Sequence, residues 1–250
     1  MVEKILTVED GVKKLLSIRE IPHPEKMEMH YKTEEELVDT LVLGEDRIPL
    51  PYWRYEFRIF SMNEYGKENP DDNCMLNVYS YVGKHETLLQ HLYRELDIAE
   101  FLLCSRIKKV TAFKNGDACN LIAVTEAGTT ANLELGATMA PGTINQCQHR
   151  LLTTRGMACD RPVESMVAES STYLFASDSV TPREFNDLEY YLWGLGADDV
   201  VRVTYIQDII KNNVNVAAIK ENDAHLRRVI AAVLKSDEIG DTVVVEEEGV

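Results

Sequence analysis

The sequence predicts an α+β fold, and three observations carry that prediction. Segments with helical apolar spacing cluster toward both ends of the chain. Between them runs a series of short stretches with strand periodicity, punctuated by Asn115-Gly, Ala127-Gly and Pro141-Gly. No strand–helix–strand alternation recurs that would build a parallel α/β sheet. Hydrophobic side chains make up 45% of the 250 residues, which is enough to form a core.

Taken in order, Thr7 to Arg19 reads as a helix, capped by Thr7 or Asp10, with Val12, Leu15, Leu16 and Ile18 as its apolar positions. Ile21-Pro-His-Pro ends it, because neither proline can donate a hydrogen bond. Met27 to Tyr31 is a short strand. A second helix is expected from Thr33, with acidic residues in its first turn and Leu37, Leu41 and Val42 facing inward. Beyond Pro51, Trp53-Arg-Tyr-Glu-Phe-Arg-Ile-Phe alternates apolar and charged residues and predicts a long strand with one wetted face. Tyr65 to Asn73 reads as a loop, and Glu86 to Leu103 as a helix with Leu88, Leu92, Leu96 and Ala99 on its inner side.

Strands are expected at residues 109–113, 120–125, 129–135, 146–154 and 170–176, with a tight turn at Gly156. Residues 184–192 and 203–211 read as helices. The last helix is expected to start at Asn222 or Asp223, bury Leu226, Val229, Ile230, Val233 and Leu234, and close by Asp241. A strand at 242–245 precedes an acidic tail. Residues 1–50 are expected to form an N-terminal helical and linker segment. It would pack on a main domain of residues 51–250, with one core overall.

Forty-two acidic against 26 basic residues give a net charge of −16. That excess argues against nucleic acid and anionic membrane surfaces as partners, both of which require clustered Lys and Arg. No apolar run is long enough for a membrane helix, and the start lacks the layout of a signal peptide. The five cysteines form an odd set without a Cys-x-x-Cys pair, so reduced thiols and a cytoplasmic location are expected. Cys104 and Cys119 fall in apolar patterns and are expected to be buried and structural.

The stretch Tyr81-Val-Gly-Lys-His-Glu-Thr-Leu-Leu-Gln-His-Leu-Tyr-Arg-Glu-Leu-Asp97, continuing to Ile107-Lys-Lys-Val110, resembles a helix and strand of the Gfo/Idh/MocA oxidoreductases. The segment 222–245 resembles that family's last helix and closing strand. Leu152-Thr-Thr-Arg-Gly156 is similar to part of its substrate-domain sheet, and 27–55 to the entry into that domain. The resemblance covers roughly Thr7 to Val245. It implies an open, mainly antiparallel β-sheet with helices packed on one face. It also implies a homo-oligomer formed through the sheet and a place in carbohydrate-type oxidoreduction.

The family binds NAD(P) on an N-terminal Rossmann domain with a Gly-x-Gly-x-x-Gly turn. Such glycines let backbone amides approach a pyrophosphate, and this sequence has no such motif. No cofactor is therefore expected on this chain alone, and NAD(P) only where a partner supplies a Rossmann domain. Glu3-Lys-Ile resembles the family's Glu-Lys-Pro signature, with Ile5 in place of proline.

The family's helix carries Asp-x-x-x-His-x-x-Asp. With Asp97 as the last aspartate, Gln90 takes the place of the first and Arg94 that of the catalytic histidine. Arginine stays protonated and cannot accept a hydroxyl proton. Three readings follow. An accessory subunit would bind ligand or scaffold a partner through Lys84, His85, Gln90, His91 and Arg94, with Arg54 and Tyr190 bordering the pocket. A cofactor-independent enzyme would use His91 or His85 as base on a sugar-like substrate. A structural oligomer would carry these residues as a solvated helix face. His85, Glu86 and His91 lack a further ligand at defined spacing, so no metal is expected. Trp53–Arg58 and the alternating Asn145–Arg150 are expected at an interface.

Overall fold

The computed structural model describes residues 7–83, 86–140, 145–160, 170–176, 183–187 and 195–246. The chain opens with α1 (Val8–Ile18), β1 (Met27–His30), β2 (Thr40–Leu43), β3 (Asp46–Pro49), a 3-10 turn at Tyr52–Tyr55 and α2 (Phe57–Lys67). β4 (Asn73–Gly83), α3 (Leu88–Leu103), β5 (Ile107–Asn115), β6 (Ala118–Thr125) and β7 (Thr130–Met139) follow. β8 (Gln146–Thr153), β9 (Gly156–Cys159), β10 (Ser170–Ala176) and β11 (Arg183–Asp187) come next. α4 (Ala197–Ile210), α5 (Val216–Ile239) and the two-residue β12 (Val243–Val244) complete it. The α+β class holds. The elements form two compact units, residues 1–56 with 187–224 and residues 57–186 with 225–250.

In the first unit, Thr7 and Asp10 close a capping box on α1, which buries Val12 and Leu16. A Cβ on Gly11 would come within 2.9 Å of Leu195 and Val203, so glycine there permits the close approach of α4. β1, β2 and β3 form a small antiparallel sheet. The helix expected from Thr33 is absent, because Leu41 and Val42 belong to β2. Leu43 pairs with Asp46 across a two-residue turn, and Gly44 there adopts φ +64°. Leu37, Leu41 and Val42 fit a helical stripe by spacing, but the glycine turn three residues after Leu41 makes a hairpin.

The strand expected at Trp53–Phe60 is also absent. A 3-10 turn and then α2 occupy it, and the wetted sheet face assigned to Arg54 does not form. Helix α2 buries Ile59, Met62, Asn63 and Gly66, an i, i+3, i+4, i+7 set in which two members are not hydrophobic. A Cβ on Gly66 would lie 3.0 Å from the Leu102 carbonyl and 3.1 Å from Leu151.

The second unit is built on a nine-stranded sheet in the order β11-β10-β9-β8-β4-β7-β6-β5-β12. Its described pairings are antiparallel except β4 with β7. The sequence reading missed β4, which falls partly in the expected loop. Its buried Leu76, Val78, Ser80 and Val82 do alternate, yet Asn73, Asn77 and Ser80 dilute the apolar signal. The helix expected at 184–192 is strand β11 up to Asp187, and the remainder lies outside the described residues. α5 begins at Val216, so Asn222 and Asp223 are interior to the helix rather than its cap.

α3 leaves β4, crosses the sheet over β7 and β6, and delivers the chain to β5. α5 is pinned to β5 where Ser236 Oγ accepts from the Ala112 amide at 2.9 Å and Asp237 from that of Lys114 at 2.7 Å. At the edge of β5, Val243 and Val244 pair with Val110 and Lys109, and the Val245 amide donates to the Lys108 carbonyl.

The opposite face of the sheet carries two cross-strand rows. One runs Arg150, Asn77, Asn132, Ile122 and Thr111; the other Gln148, Tyr79, Glu134, Asn120 and Phe113. Tyr79, Phe113 and Ile122 are 43, 63 and 49% exposed, around a shallow depression of about 240 Å³.

Candidate functional site

The start of α3 was the place singled out in the sequence, and its residues have separate local tasks. Thr87 Oγ1 accepts from the Gln90 amide at 3.2 Å while Gln90 Oε1 accepts from the Thr87 amide at 3.0 Å. This is a capping box, which occupies the Gln90 side chain and buries it. His91 is 0% exposed. Its Nε2 donates to the Ser80 carbonyl at 3.0 Å, which assigns the proton to that nitrogen. Its Nδ1 has no hydrogen-bond partner and lies 4.0 Å from oxygens of both Glu86 and Glu95. Burial depresses the His91 pKa, and the Glu95 charge does not offset it. His91 is thus a neutral, enclosed imidazole rather than a base open to substrate.

Arg94 is partly exposed on the same helix. Arg54 lies in the 3-10 turn of the first unit, where its amide donates to the Pro51 carbonyl. Lys84, His85 and Tyr190 lie outside the described residues. The structure therefore places Gln90, His91 and Arg94 on one helix turn, with Gln90 and His91 buried and Arg94 half-buried, its Nε enclosed.

Behind that turn lies a polar chain that the sequence reading did not assemble. His149, on the inner side of β8, is 0% exposed and grips two carboxylates. Its Nδ1 donates to Asp160 at 2.7 Å and its Nε2 to Glu95 at 2.9 Å. Glu95 also accepts from Ser80 Oγ at 3.0 Å, and Ser80 Oγ is 2.9 Å from the Cys147 thiol. Asp160 accepts from the His149 amide at 2.7 Å and from Arg58 at 3.0 Å.

Burial alone would make His149 neutral, but the Asp160 and Glu95 charges and hydrogen bonds raise its pKa to about 9. Burial pushes the carboxyl of Glu95 up, yet the His149 charge and hydrogen bond pull it well below the carboxylate range. Asp160 is lowered in the same way, with Arg58 adding to His149. Two carboxylates, one imidazolium and one guanidinium balance in charge. With both ring nitrogens already donating, His149 has no lone pair with which to accept a proton.

Two interface expectations need correction. Arg58 points its charge into this network from α2, and His149 and Cys147 face α3. Of that segment, Gln146, Gln148 and Arg150 alternate onto the opposite face of the sheet, where Gln146 is exposed and Gln148 buried. Cys104, expected to be buried, is the exposed C-cap of α3 in a left-handed conformation at φ 53°, whereas Cys119 is buried. The pattern Glu95, His149, Asp160 was findable only with the register of β8 on β4 in hand. Asp160 follows a four-residue strand, and nothing in its local sequence distinguishes it. Among the described residues, no group of three or more His, Cys, Asp or Glu side chains is arranged to hold a metal. No helix among them is long and apolar enough to cross a membrane.

No family model and no curated protein matches the sequence. Solved structures do match in fold. An oxidoreductase domain protein from Kribbella flavida superposes with a TM-score of 0.63 at 12% identity, covering 79% of this chain and 65% of its own. An oxidoreductase from Agrobacterium radiobacter, in complex with NAD+, L-tartaric acid and magnesium, gives 0.65 at 11%, covering 96% and 70%. Levoglucosan dehydrogenase, in complex with NADH and L-sorbose, gives 0.61 at 11%, covering 79% and 65%. The chain thus spans just under two thirds of the length of several of these neighbours. Identities this low speak to architecture, and on that level the sequence resemblance and the structure agree: this chain has the α+β fold of the part of these oxidoreductases that it covers, as a Gfo/Idh/MocA-type C-terminal domain would.

Proposed function

We propose that the chain is an accessory, assembling subunit of carbohydrate-type oxidoreduction rather than a hydride-transfer enzyme in its own right. In this reading the NAD(P) is contributed by a partner's Rossmann domain. One observation carries the reading. The positions that resemble the family's acid–base pair hold Gln90, engaged in a capping box, and Arg94, which cannot be a base. The neighbouring His91 is sealed from solvent. That burial also weighs against the alternative in which His91 is the base of a cofactor-independent enzyme.

The carbohydrate assignment follows the company of levoglucosan dehydrogenase among the structural neighbours. Self-association is assigned to the open sheet face. Its rows combine exposed Tyr79, Phe113 and Ile122 with an acid, Glu134, and a base, Arg150, so a two-fold partner can meet like with unlike.

Two measurements test this. Fluorescence titration of the purified chain with NADH and NADPH should give no saturable binding; micromolar saturation would overturn the accessory role. Sedimentation of the wild type should show a dimer or higher assembly, which Ile122→Lys with Phe113→Asp reduces to monomer. Titration with levoglucosan and L-sorbose separates a ligand-binding subunit from a structural one. Binding lost in Arg94→Ala with assembly intact supports the former, and no binding of either sugar supports the latter.

A further inference from the structure

His91 differs from the other buried histidines that meet carboxylates. His149 closes on Asp160 at 2.7 Å and on Glu95 at 2.9 Å, and His225 closes on Glu100 at 2.7 Å. His91 Nδ1 instead stops 4.0 Å from Glu86 Oε2 and 4.0 Å from Glu95 Oε1, too far for a direct hydrogen bond. The place is enclosed: the side chains of His91 and Glu95 are 0% exposed and that of Glu86 is 16% exposed.

Counting protons explains the gap. With its Nε2 proton given to the Ser80 carbonyl, the ring turns a bare lone pair toward the two acids. Carboxylates only accept, and the Glu95 oxygen nearest the ring already accepts from Ser80 Oγ. Three acceptors therefore face one another, and a proton must come either from a second protonation of the ring or from a donor between the groups. Burial works against a second ring proton, and the Glu95 and Glu86 charges do not make up the difference. Geometry suits the interposed donor. An oxygen about 2.8 Å from both ends of such a gap sees them at an angle of about 90°, near that between the two O–H bonds of water. Buried waters make about three hydrogen bonds, and three polar groups converge here. A neutral donor suffices, because His149 and Arg58 already balance Glu95 and Asp160.

We propose that one structural water sits among His91 Nδ1, Glu86 and Glu95, donating one O–H to the ring and the other to a carboxylate oxygen. The water holds His91 as the Nε2–H tautomer. It also joins Glu86, near the surface, to the buried chain of Glu95, His149 and Asp160. The site lies within the second unit and is independent of the accessory-subunit reading.

A crystal structure of the whole chain, at a resolution that orders water, is the first test. It should show density about 2.7–3.2 Å from His91 Nδ1 and from at least one of the two carboxylates. In solution, the ring proton beside Nδ1 should show a nuclear Overhauser effect from water with the sign of a long-lived bound molecule. Glu86→Leu removes one partner and should abolish that effect, while the unchanged ring signals of His149 report an intact fold. His91→Gln keeps an N–H for the Ser80 carbonyl but deletes the second ring nitrogen, so the density should vanish with the Ser80 bond retained. Lack of density beside an unprotonated Nδ1 overturns the proposal, as does a ring protonated on both nitrogens at neutral pH. Ring-nitrogen shifts that titrate with added ammonium chloride, and not with sodium chloride, assign the site to a cation and overturn the neutral water.

Discussion

His91 and His149 lie in the same layer of the second unit, on α3 and on the strand beside it, each 0% exposed, and their surroundings drive them to opposite charge states. His149 has a carboxylate on each nitrogen and is held as the cation, with a pKa raised to about 9. His91 has a backbone carbonyl on one nitrogen, carboxylates only at 4.0 Å from the other, and a lowered pKa. Burial is shared; hydrogen bonding at 2.7–2.9 Å decides the difference. A buried histidine is therefore no sign of a general base until both of its nitrogens are accounted for.

The largest expected effect comes from removing the clamp. His149→Leu leaves Glu95 and Asp160 buried without their shared cation and should cost about 3–5 kcal/mol of unfolding free energy, read by urea denaturation. His91→Leu loses one bond to a carbonyl and should cost about 1–3 kcal/mol, toward the lower end. Equal costs would break the contrast.

Their pH dependences should have opposite signs. The raised pKa of His149 gives stability that is complete below the unfolded value of about 6.5 and is lost as pH rises through about 9. The lowered pKa of His91 gives stability that is present above about 6.5 and declines as pH falls toward its folded value. Nitrogen NMR of the two rings sharpens this: at pH 8 His149 should be doubly protonated, while His91 should stay a neutral Nε2–H tautomer to a pH below the ~6.5 of a free imidazole. The smallest effect belongs to the opposite side of the sheet. Phe113→Asp should change monomer stability by no more than about 0.5 kcal/mol, since that side chain stands 63% exposed.

What the sequence disclosed follows the same division between local and non-local physics. Thr7 capping α1, the glycine turns at Gly116 and Gly128, and β10 at Ser170–Ala176 are set within a few residues and were legible. α2 was misread because Asn63 and Gly66 occupy half of its buried stripe: Asn63 donates to the Phe101 carbonyl, and Gly66 is pressed against Leu102. β4 was missed although it lies at the centre of the sheet, since a strand paired on both sides can bury Ser80 and Asn73 wherever partners exist. At the candidate site, Gln90, His91 and Arg94 were singled out from the resemblance of this helix to the family's Asp-x-x-x-His-x-x-Asp helix. Glu95, His149 and Asp160 were not assembled, because 54 residues separate Glu95 from His149 and only strand register joins them.

The short pairing of Val243 and Val244 with Val110 and Lys109 has a consequence for solubility. It covers part of the outer hydrogen-bonding rim of β5, which would otherwise offer free amides and carbonyls to any extended chain. Lys108 and Lys109 guard the same rim with charge. Cutting the chain before Thr242 would uncover it while leaving the core of the sheet in place. The expected defect is edge-to-edge aggregation of folded molecules, visible as light scattering that grows with concentration before any loss of helical signal.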